Sequence, residues 1–262
     1  MPFYRRDDLA IADPSGRGPV TEADRASHRT IVELLAAARP DDPVLSEEGE
    51  AARGHGDGRL WVVDPLDGTR EFIARNGEFS VMVGLAVDGA ARLGAVYQPD
   101  PDRLYVGIVG EGAWRIERAS DDFRGQVLQT RSRGSGTLRI VGSRSHPDPR
   151  LQRIEASLAP VERVVSGSVG IKCAMIAETN ADLYIHPVAH LKEWDTCAPE
   201  AILRGAGGWV GNCVGGGLTY GKPEPVQPFG IFAACDEDLR KRVATVVHAI
   251  GSTLTDEEGA IR

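Results

Sequence analysis

Two aspartates in this sequence, Asp64 and Asp67, are spaced so that they could bind a metal ion. They follow an apolar run at residues 60–63 that has the length of a buried strand, and Pro65 and Gly68 predict an abrupt turn at its end. Such a turn could aim both carboxylates at one point, and carboxylate oxygens are ligands for hard cations such as Mg²⁺ or Ca²⁺. Because Asp, Pro and Gly also form ordinary turns, this stretch alone predicts a plain turn equally well.

The residues that follow the two aspartates could hold a phosphate group. Gly68 lets a ligand approach the backbone closely, and Thr69 supplies a hydroxyl. A helix predicted to begin at residues 70–74 would present free N–H groups, which favour anions, at its start. The pattern therefore predicts metal ligands, a hydroxyl and an anion site close together in the chain.

The other acidic candidates each have an ordinary structural explanation. Asp24 matches the acidic position of a capping box at the start of a predicted helix. Glu47 and Glu48 lie in a short extended segment, and isolated acidic pairs are usually solvated, but these two precede the aspartates and could complete a cation site. Asp195 directly precedes another predicted helix, where it could serve as an N-cap.

Two loops in the second half of the chain carry residue types that bind anions. Ser143 and His146 follow a predicted strand and could contact a phosphate or a ribose, although a polar turn explains them equally well. Ser168 lies among the small residues that open a predicted helix, and Lys172 follows one turn later. This second pattern lacks the spacing of a P-loop and is a weak signal by itself.

Composition limits the classes of function. The 262 residues, 42% of them hydrophobic, are enough for one large domain or two packed ones. A formal net charge of −8 argues against a nucleic-acid polymer or an anionic membrane as partner, although an acidic protein can still bind anions through a bridging cation. The cysteines have no zinc-like spacing, which predicts buried reduced thiols. The sequence contains no recognisable signal peptide or membrane-spanning run, so the predicted location is the cytoplasm.

Hydrophobic periodicity predicts an α/β (α+β) fold in two halves. A polar, strand-poor lead-in precedes a helix whose apolar face consists of Ala23, Ile31, Leu34, Leu35 and Ala38. An antiparallel meander follows the two aspartates, whereas the second half alternates strands and helices. The predicted boundary separates residues 1–135, which carry the metal-binding turn, from residues 136–262, which complete the site.

Six motifs occur in an order that resembles the inositol monophosphatase superfamily of lithium-sensitive, Mg²⁺-dependent phosphatases. They are VTEAD, SEE, DPLDGTREF, SRSH, the glycine and serine loop ending in Lys172, and WDTCAPEAILRGAGG. Within that superfamily the chain is most similar to the 3'(2'),5'-bisphosphate nucleotidases, and DGTREFIARNGEF resembles the bacterial members of sulfur assimilation. The resemblance covers nearly the whole chain after Pro19 and implies a layered αβαβα sandwich of the sugar-phosphatase type.

The resemblance implies a role for each matching residue. It implies two or three Mg²⁺ ions held by one set of oxygen ligands: Glu47, Asp64, Asp67, Asp195 and the Leu66 carbonyl. It implies an attacking water that is oriented and deprotonated by Asp24, Thr69 and Glu47. It implies a substrate held by Gly68, Thr69, Ser143, His146, Ser168 and Lys172.

The implied reaction is hydrolysis of the 3'-phosphate of adenosine 3',5'-bisphosphate, with its sulfated form as a further candidate, to AMP and phosphate by water attack. The expected partner is a small phosphorylated molecule, and the resemblance also allows a homodimer. Two other functions stay open: a phosphatase for inositol, sugar or nucleoside phosphates, and a non-catalytic phosphate-binding module.

Two features depart from the family pattern. Residues 185–187 read Ile-His-Pro where the bacterial nucleotidases carry an Arg, and this difference bears on the pocket for the base. Only residues 1–18 stand in place of the leading helix that the family has before the segment ending at VTEAD.

Overall fold

The computed structural model describes residues 2–6, 8–12, 19–49, 58–117, 125–132, 136–144 and 149–254. Helices in these ranges are α1 Glu22–Ala38, α2 Thr69–Ala74, α3 Pro149–Leu158, α4 Val169–Ala177, α5 Cys197–Gly205 and α6 Glu237–Leu254. Strands in the first half are β1 Ile11–Ala12, β2 Val20–Thr21, β3 Val44–Ser46, β4 Arg59–Asp67, β5 Ser80–Val87, β6 Ala90–Gln98, β7 Arg103–Ile108, β8 Gly112–Glu117 and β9 Gln126–Leu128. Strands in the second half are β10 Leu138–Ser143, β11 Val161–Ser166, β12 Leu183–His186, β13 Trp209–Asn212 and β14 Ile231–Ala234.

A seven-stranded sheet with the order β3-β4-β5-β6-β7-β8-β9 carries the first half of the site. Only β3 pairs in parallel, with β4, and the later neighbours pair antiparallel, which confirms the predicted meander. Buried and partly exposed side chains alternate along β5, as expected when one face of a sheet meets a core. The short β3 forms one edge of this sheet.

A five-stranded mixed sheet with the order β11-β10-β12-β14-β13 carries the second half. Strands β10, β11 and β12 run parallel, so the loops that follow them leave the sheet at the same edge. Helices α4 and α5 pack between the two sheets, α1 packs on β4, and α3 and α6 cover the outer face of the second sheet. These layers give the αβαβα arrangement, and the predicted α/β fold class is confirmed.

Three aligned glycines form the groove in which α5 lies. Gly84, Gly94 and Gly107 are register partners on β5, β6 and β7. A Cβ at Gly94 would lie 2.2 Å from the Ala198 carbonyl oxygen, and one at Gly107 would lie 2.3 Å from the Ile202 Cα. The absence of three side chains therefore allows the backbone of α5 to approach the sheet directly.

The predicted abrupt turn at Pro65 is wrong. Strand β4 continues to Asp67, and its pairing with β5 shifts between Asp64, opposite Met82, and Asp67, opposite Ser80. The segment from Asp64 to Asp67 is therefore one residue longer than its partner, as in a β-bulge, which tolerates a proline without an N–H to donate. The chain turns only at Gly68, whose φ is +94°.

Two further differences concern the start of the chain. The lead-in predicted to be poor in strands contributes the short β1, which pairs antiparallel with β2. Helix α1 forms as predicted, and Ala23 of its predicted apolar face is buried together with Asp24, whereas Leu34 of that face is 65% exposed. The helix is therefore fixed mainly by its first turns. Within the described ranges, every helix falls short of the length and apolarity that crossing a bilayer requires.

Candidate functional site

Three carboxylates from distant parts of the sequence meet between the two sheets. One ligand oxygen each of Asp64, Asp67 and Asp195 lies within 4.8 Å of the others. The bulge in β4 presents the first two, and the turn that precedes α5 presents Asp195. Asp64 is buried, and the other two are partly buried. The structure thus brings together three of the predicted metal ligands, and a set of carboxylate oxygens suits a hard divalent cation.

Asp67 is held by residues of the second half. Ser168 Oγ donates to Asp67 Oδ2 at 2.5 Å, and the backbone N–H of Gly170 donates to the same oxygen at 3.3 Å. Ser168 is fully buried, lies 2.7 Å from Ser80 Oγ, and caps α4 by accepting the N–H of Ile171. In this structure Ser168 therefore contacts Asp67, a candidate metal ligand. The predicted contact of Ser168 with substrate stays a prediction.

Asp195 is fixed by the turn before α5 and by a second segment packed on that turn. The backbone N–H of Lys192 donates to Asp195 Oδ2, so this carboxylate is not the N-cap; Thr196 holds that position. The buried Glu193 accepts the N–H groups of Gly221 and Lys222 at 2.7 and 3.0 Å, and pairs with the Lys222 ammonium at 3.1 Å. Sequence analysis missed Glu193, although an acid beside a conspicuous Trp-Asp pair was a visible signal.

Thr69 and Asp24 form the hydroxyl and carboxylate pair that the resemblance implies. Thr69 Oγ1 donates to Asp24 Oδ1 at 3.1 Å and also lies 3.3 Å from the Leu66 carbonyl oxygen. The other oxygen of Asp24 accepts the backbone N–H and the hydroxyl of Thr21, at 2.8 and 2.6 Å. The capping box is therefore present, and it leaves Asp24 Oδ1 free to face Thr69. Both expected contacts of Asp24 coexist.

Gly68 shapes the turn between the bulge and α2. In addition to its positive φ, a Cβ at this position would lie 3.0 Å from the carbonyl oxygen of Glu78. A side chain here would therefore be strained by the backbone conformation and by the neighbouring chain. The predicted contact of this turn with a phosphate stays a prediction.

Glu47 and Glu48 directly follow β3. The N–H of Glu47 donates to the Val63 carbonyl at 3.2 Å, which ties this segment to β4. Glu47 stays exposed at the rim and is not among the three carboxylates within 4.8 Å. Its pKa is nevertheless raised, first by partial loss of hydration and then by Asp195. Glu48 also has a raised pKa, through burial and then through Asp24.

The predicted substrate residues follow the carboxyl ends of the parallel strands. Ser143 ends β10 and is paired in register with Ser166, which ends β11. His146 lies outside the described residues. Lys172 is 2% exposed, and its ammonium group donates to the carbonyl oxygens of Ser166, at 3.4 Å, and Gly167. The ammonium group of Lys172 therefore binds the backbone of the loop that follows β11. A direct contact of Lys172 with substrate stays a prediction.

The carboxylate cluster is electrostatically unfavourable without a cation. Burial raises the pKa of Asp64 well above its usual range, and the charges of Glu47 and Asp67 raise it further. Loss of hydration raises the pKa of Asp195 to about 7, and Asp67 adds to the shift. Closely spaced like charges with raised pKa values fit a site that a divalent cation completes.

We expect the stability of the ion-free protein to fall as pH rises. A carboxyl whose folded pKa exceeds its unfolded value, about 4, stabilises the fold below that value and loses this contribution as pH rises through the folded pKa. The folded pKa of Asp195 is about 7, so its contribution to stability is lost as the pH rises through about 7. The melting temperature after EDTA treatment should therefore drop between pH 5 and pH 8, on the order of a few degrees. Thermal unfolding across this range would measure it.

The same experiment with a cation provides the control. Mg²⁺ should raise the melting temperature more at pH 8 than at pH 5, because protons compete for the same oxygens at low pH. An ion-free melting temperature that stays constant from pH 5 to pH 8 would contradict the proposed electrostatics of the cluster.

The chain resembles known proteins in sequence. Residues 4–251 match the model of the Inositol monophosphatase family. A 3'(2'),5'-bisphosphate nucleotidase CysQ of Escherichia coli (strain K12) is 38% identical over 215 residues, which are 81% of this chain and 83% of that protein. A Nus factor SuhB of Pasteurella multocida is 31% identical over 222 residues, which are 82% of this chain and 79% of that protein.

Solved structures agree with the sequence matches. CysQ from Bacteroides thetaiotaomicron, a bacterial member of the inositol monophosphatase family, superposes with a TM-score of 0.75 at 35% identity, covering 90% of this chain and 92% of that one. The suhB protein from Bartonella henselae gives a TM-score of 0.76 at 24% identity, covering 92% and 88%, and supports the fold alone. The chain therefore belongs to the inositol monophosphatase family and is a phosphoric monoester hydrolase of that family.

Proposed function

We propose that this enzyme hydrolyses the 3'-phosphate of adenosine 3',5'-bisphosphate to AMP and phosphate, with Mg²⁺ bound among Asp64, Asp67, Asp195 and Glu47. The observation that carries the chemical part is the Thr69 hydroxyl, which donates to Asp24 beside the cluster of three carboxylates. An oriented hydroxyl and carboxylate pair next to a hard-cation site is what activation of water for phosphoryl transfer requires.

Different residues have different roles in the proposed hydrolysis. Bound Mg²⁺ would supply activation of water and neutralise charge on the phosphoryl oxygens. When the Thr69 hydroxyl donates to Asp24 Oδ1, its oxygen can accept a proton from water, and Asp24 can then take the Thr69 proton. The water oxygen bonds to phosphorus and the bond to the ester oxygen breaks. The ester oxygen leaves as an alkoxide and takes a proton from a solvent water, and the proton held by Asp24 returns to solvent, which gives AMP and phosphate. Both turn aspartates are metal ligands in this proposal, so no phosphoenzyme is required.

The choice of a bisphosphate nucleotide rests on similarity and on charge. The CysQ relatives carry the name 3'(2'),5'-bisphosphate nucleotidase and cover four fifths of the chain. Ser143, at the end of β10, and the loop after β11, whose carbonyl oxygens accept from Lys172, lie at one edge of the sheet, where a second phosphate could be bound. The sulfated form of the nucleotide fits the same proposal. We further propose a cytoplasmic enzyme, which could form a homodimer.

A second candidate substrate class is an inositol or sugar phosphate. It is favoured by the similarity to SaIMPase-II, whose structure contains bound inositol monophosphate. The chain also has Ile185, His186 and Pro187 where bacterial nucleotidases carry an Arg. This difference affects the pocket that would bind the base of a nucleotide. The metal chemistry would be unchanged, and only the substrate pocket would differ.

A substrate panel tests the proposal directly. Phosphate release with Mg²⁺ would be measured for adenosine 3',5'-bisphosphate, its sulfated form, inositol 1-phosphate, fructose 1,6-bisphosphate and AMP. We expect kcat/KM for the 3'-phosphorylated nucleotides to exceed the others by at least about tenfold, equivalent to 1.4 kcal/mol. A preference for inositol or sugar phosphates would overturn the substrate, and no release from any member of the panel would favour a phosphate-binding module.

Lithium provides an independent test of the metal site. We expect millimolar LiCl to inhibit turnover and Ca²⁺ to fail as a replacement for Mg²⁺, since Ca²⁺ has a looser coordination geometry. Turnover would be compared in LiCl and in the same concentration of NaCl, which controls for ionic strength. Equal activity in the two salts would count against the proposed ion-dependent mechanism.

A further inference from the structure

Helix α1 presents one polar face to three segments of the site. Asp24, Ser27 and His28 are three and four residues apart, so they lie on the same side of the helix. Asp24 accepts the Thr69 hydroxyl, as described above. Ser27 Oγ donates to the Pro65 carbonyl at 2.8 Å, and His28 Nδ1 lies 2.8 Å from Ser46 Oγ.

Ser27 contacts the bulge between the two aspartates of β4. A bulge leaves its extra residue without a ladder partner, so the sheet itself holds this part of β4 weakly. Pro65 is buried at this point, and its carbonyl takes a hydrogen bond from Ser27 instead. Since Pro65 directly follows Asp64, this hydrogen bond fixes the backbone from which both aspartates project.

His28 contacts the end of β3, directly before Glu47. Strand β3 has three residues and lies at the edge of its sheet, so few ladder bonds hold it. Ser46 is 3% exposed, and the His28 ring packs so closely on the following turn that a Cβ at Gly49 would lie 3.2 Å from the ring. His28 therefore supports the turn that carries Glu47.

We propose that Ser27 and His28 are positioning residues that set the separation between Glu47 and the pair of Asp64 and Asp67. Each holds one carboxylate-bearing segment at a place where the sheet provides few bonds, and one rigid helix joins the two. They act on the binding of the divalent cation through these segments and touch no reacting atom. This inference rests on the proposed metal-dependent function and adds two residues to it.

The test is calorimetric titration of the EDTA-treated protein with Mg²⁺ and with Mn²⁺. We expect Ser27→Ala and His28→Ala each to weaken divalent-ion affinity by about 10-fold, the lower end for groups that orient metal ligands. At subsaturating Mg²⁺ kcat should fall, and it should recover at high Mg²⁺, with little change in the KM of the substrate. His28→Asn, which can place an amide nitrogen near the Nδ1 position, should keep most of the affinity.

Thr30→Ala is the matched control, because the Thr30 hydroxyl is exposed and bonds to Ala26 of the same helix. It should leave ion affinity unchanged. If Ser27→Ala and His28→Ala lower the melting temperature but bind ions like the unmodified protein, the proposal is overturned. If ion affinity falls as expected while the unmodified enzyme releases phosphate from no substrate, the positioning role stands and the proposed function fails.

Discussion

Replacing Asp64 by Asn should abolish turnover and at the same time stabilise the ion-free protein at pH 8. Asp64 lies at the centre of the carboxylate cluster, so its loss removes a metal ligand and the charge that holds the cation. If bound metal contributes several kcal/mol to the transition state, as is usual, kcat should fall by about 10³-fold or more. Asn keeps an oxygen that can accept the N–H of Leu66, now donated to Asp64 at 3.0 Å, so the bulge should still form.

The gain in stability follows from the same charge. Burial and neighbouring carboxylates raise the pKa of Asp64, so its ionised form opposes folding at pH 8. A neutral Asn removes that opposition, and the melting temperature in EDTA should rise above that of the unmodified protein, by a few degrees. Steady-state phosphate release and thermal unfolding, each with and without Mg²⁺, would measure both effects.

Asp238→Asn is the control for this substitution, because Asp238 is exposed on α6 and remote from the cluster. It should change neither turnover nor the response to Mg²⁺. Full activity of Asp64→Asn would remove Asp64 from the metal site, whereas a lower melting temperature in EDTA would show that the carboxylate stabilises the fold and is not a centre of repulsion.

Motif spacing predicts that Asp64 and Asp67 can converge, but it does not identify the third carboxylate of the cluster. Two carboxylates three residues apart on a constrained backbone can point in one direction, and the bulge in β4 constrains Asp64 and Asp67 in place of the predicted turn. Asp195 could not be placed next to them from spacing alone, because its position depends on how α5 packs against the other sheet. The family resemblance supplied that link, and the geometry agrees with it.

The supporting contacts were beyond the reach of sequence patterns. Ser168 resembled a residue that faces substrate, but its hydroxyl bonds to Asp67, a hundred residues earlier in the chain. Glu193 is buried because Gly221 and Lys222 fold back over it. Neither partner can be inferred from local propensity, since long-range pairs depend on the packing of both sheets. The apolar spacing of α1 predicted a helix correctly, but periodicity does not reveal which part of a face meets the core.

The role of the glycines in the seven-stranded sheet also could not be predicted from local sequence, and a substitution can test that role. In a strand, glycine usually weakens the sheet, so an alanine at Gly94 would ordinarily be favourable. Here its Cβ would lie 2.2 Å from the Ala198 carbonyl oxygen and 2.7 Å from the Ala198 Cα. These are backbone atoms and cannot rotate away, so the first turn of α5 must move. Because Asp195 lies three residues before Ala198, the metal site should move with it.

Gly94→Ala is therefore expected to impair stability and catalysis together. Overpacking of this kind destabilises by about 1–3 kcal/mol, and displacement of a ligand-bearing segment by about 1 Å can lower activity by about 100-fold. Urea unfolding would measure the first effect, and the Mg²⁺ dependence of kcat would measure the second. Gly217→Ala is the matched control, since a Cβ there would meet no atom within 4 Å. If Gly94→Ala loses stability but keeps its Mg²⁺ dependence, then the packing of α5 on the glycines does not set the position of Asp195.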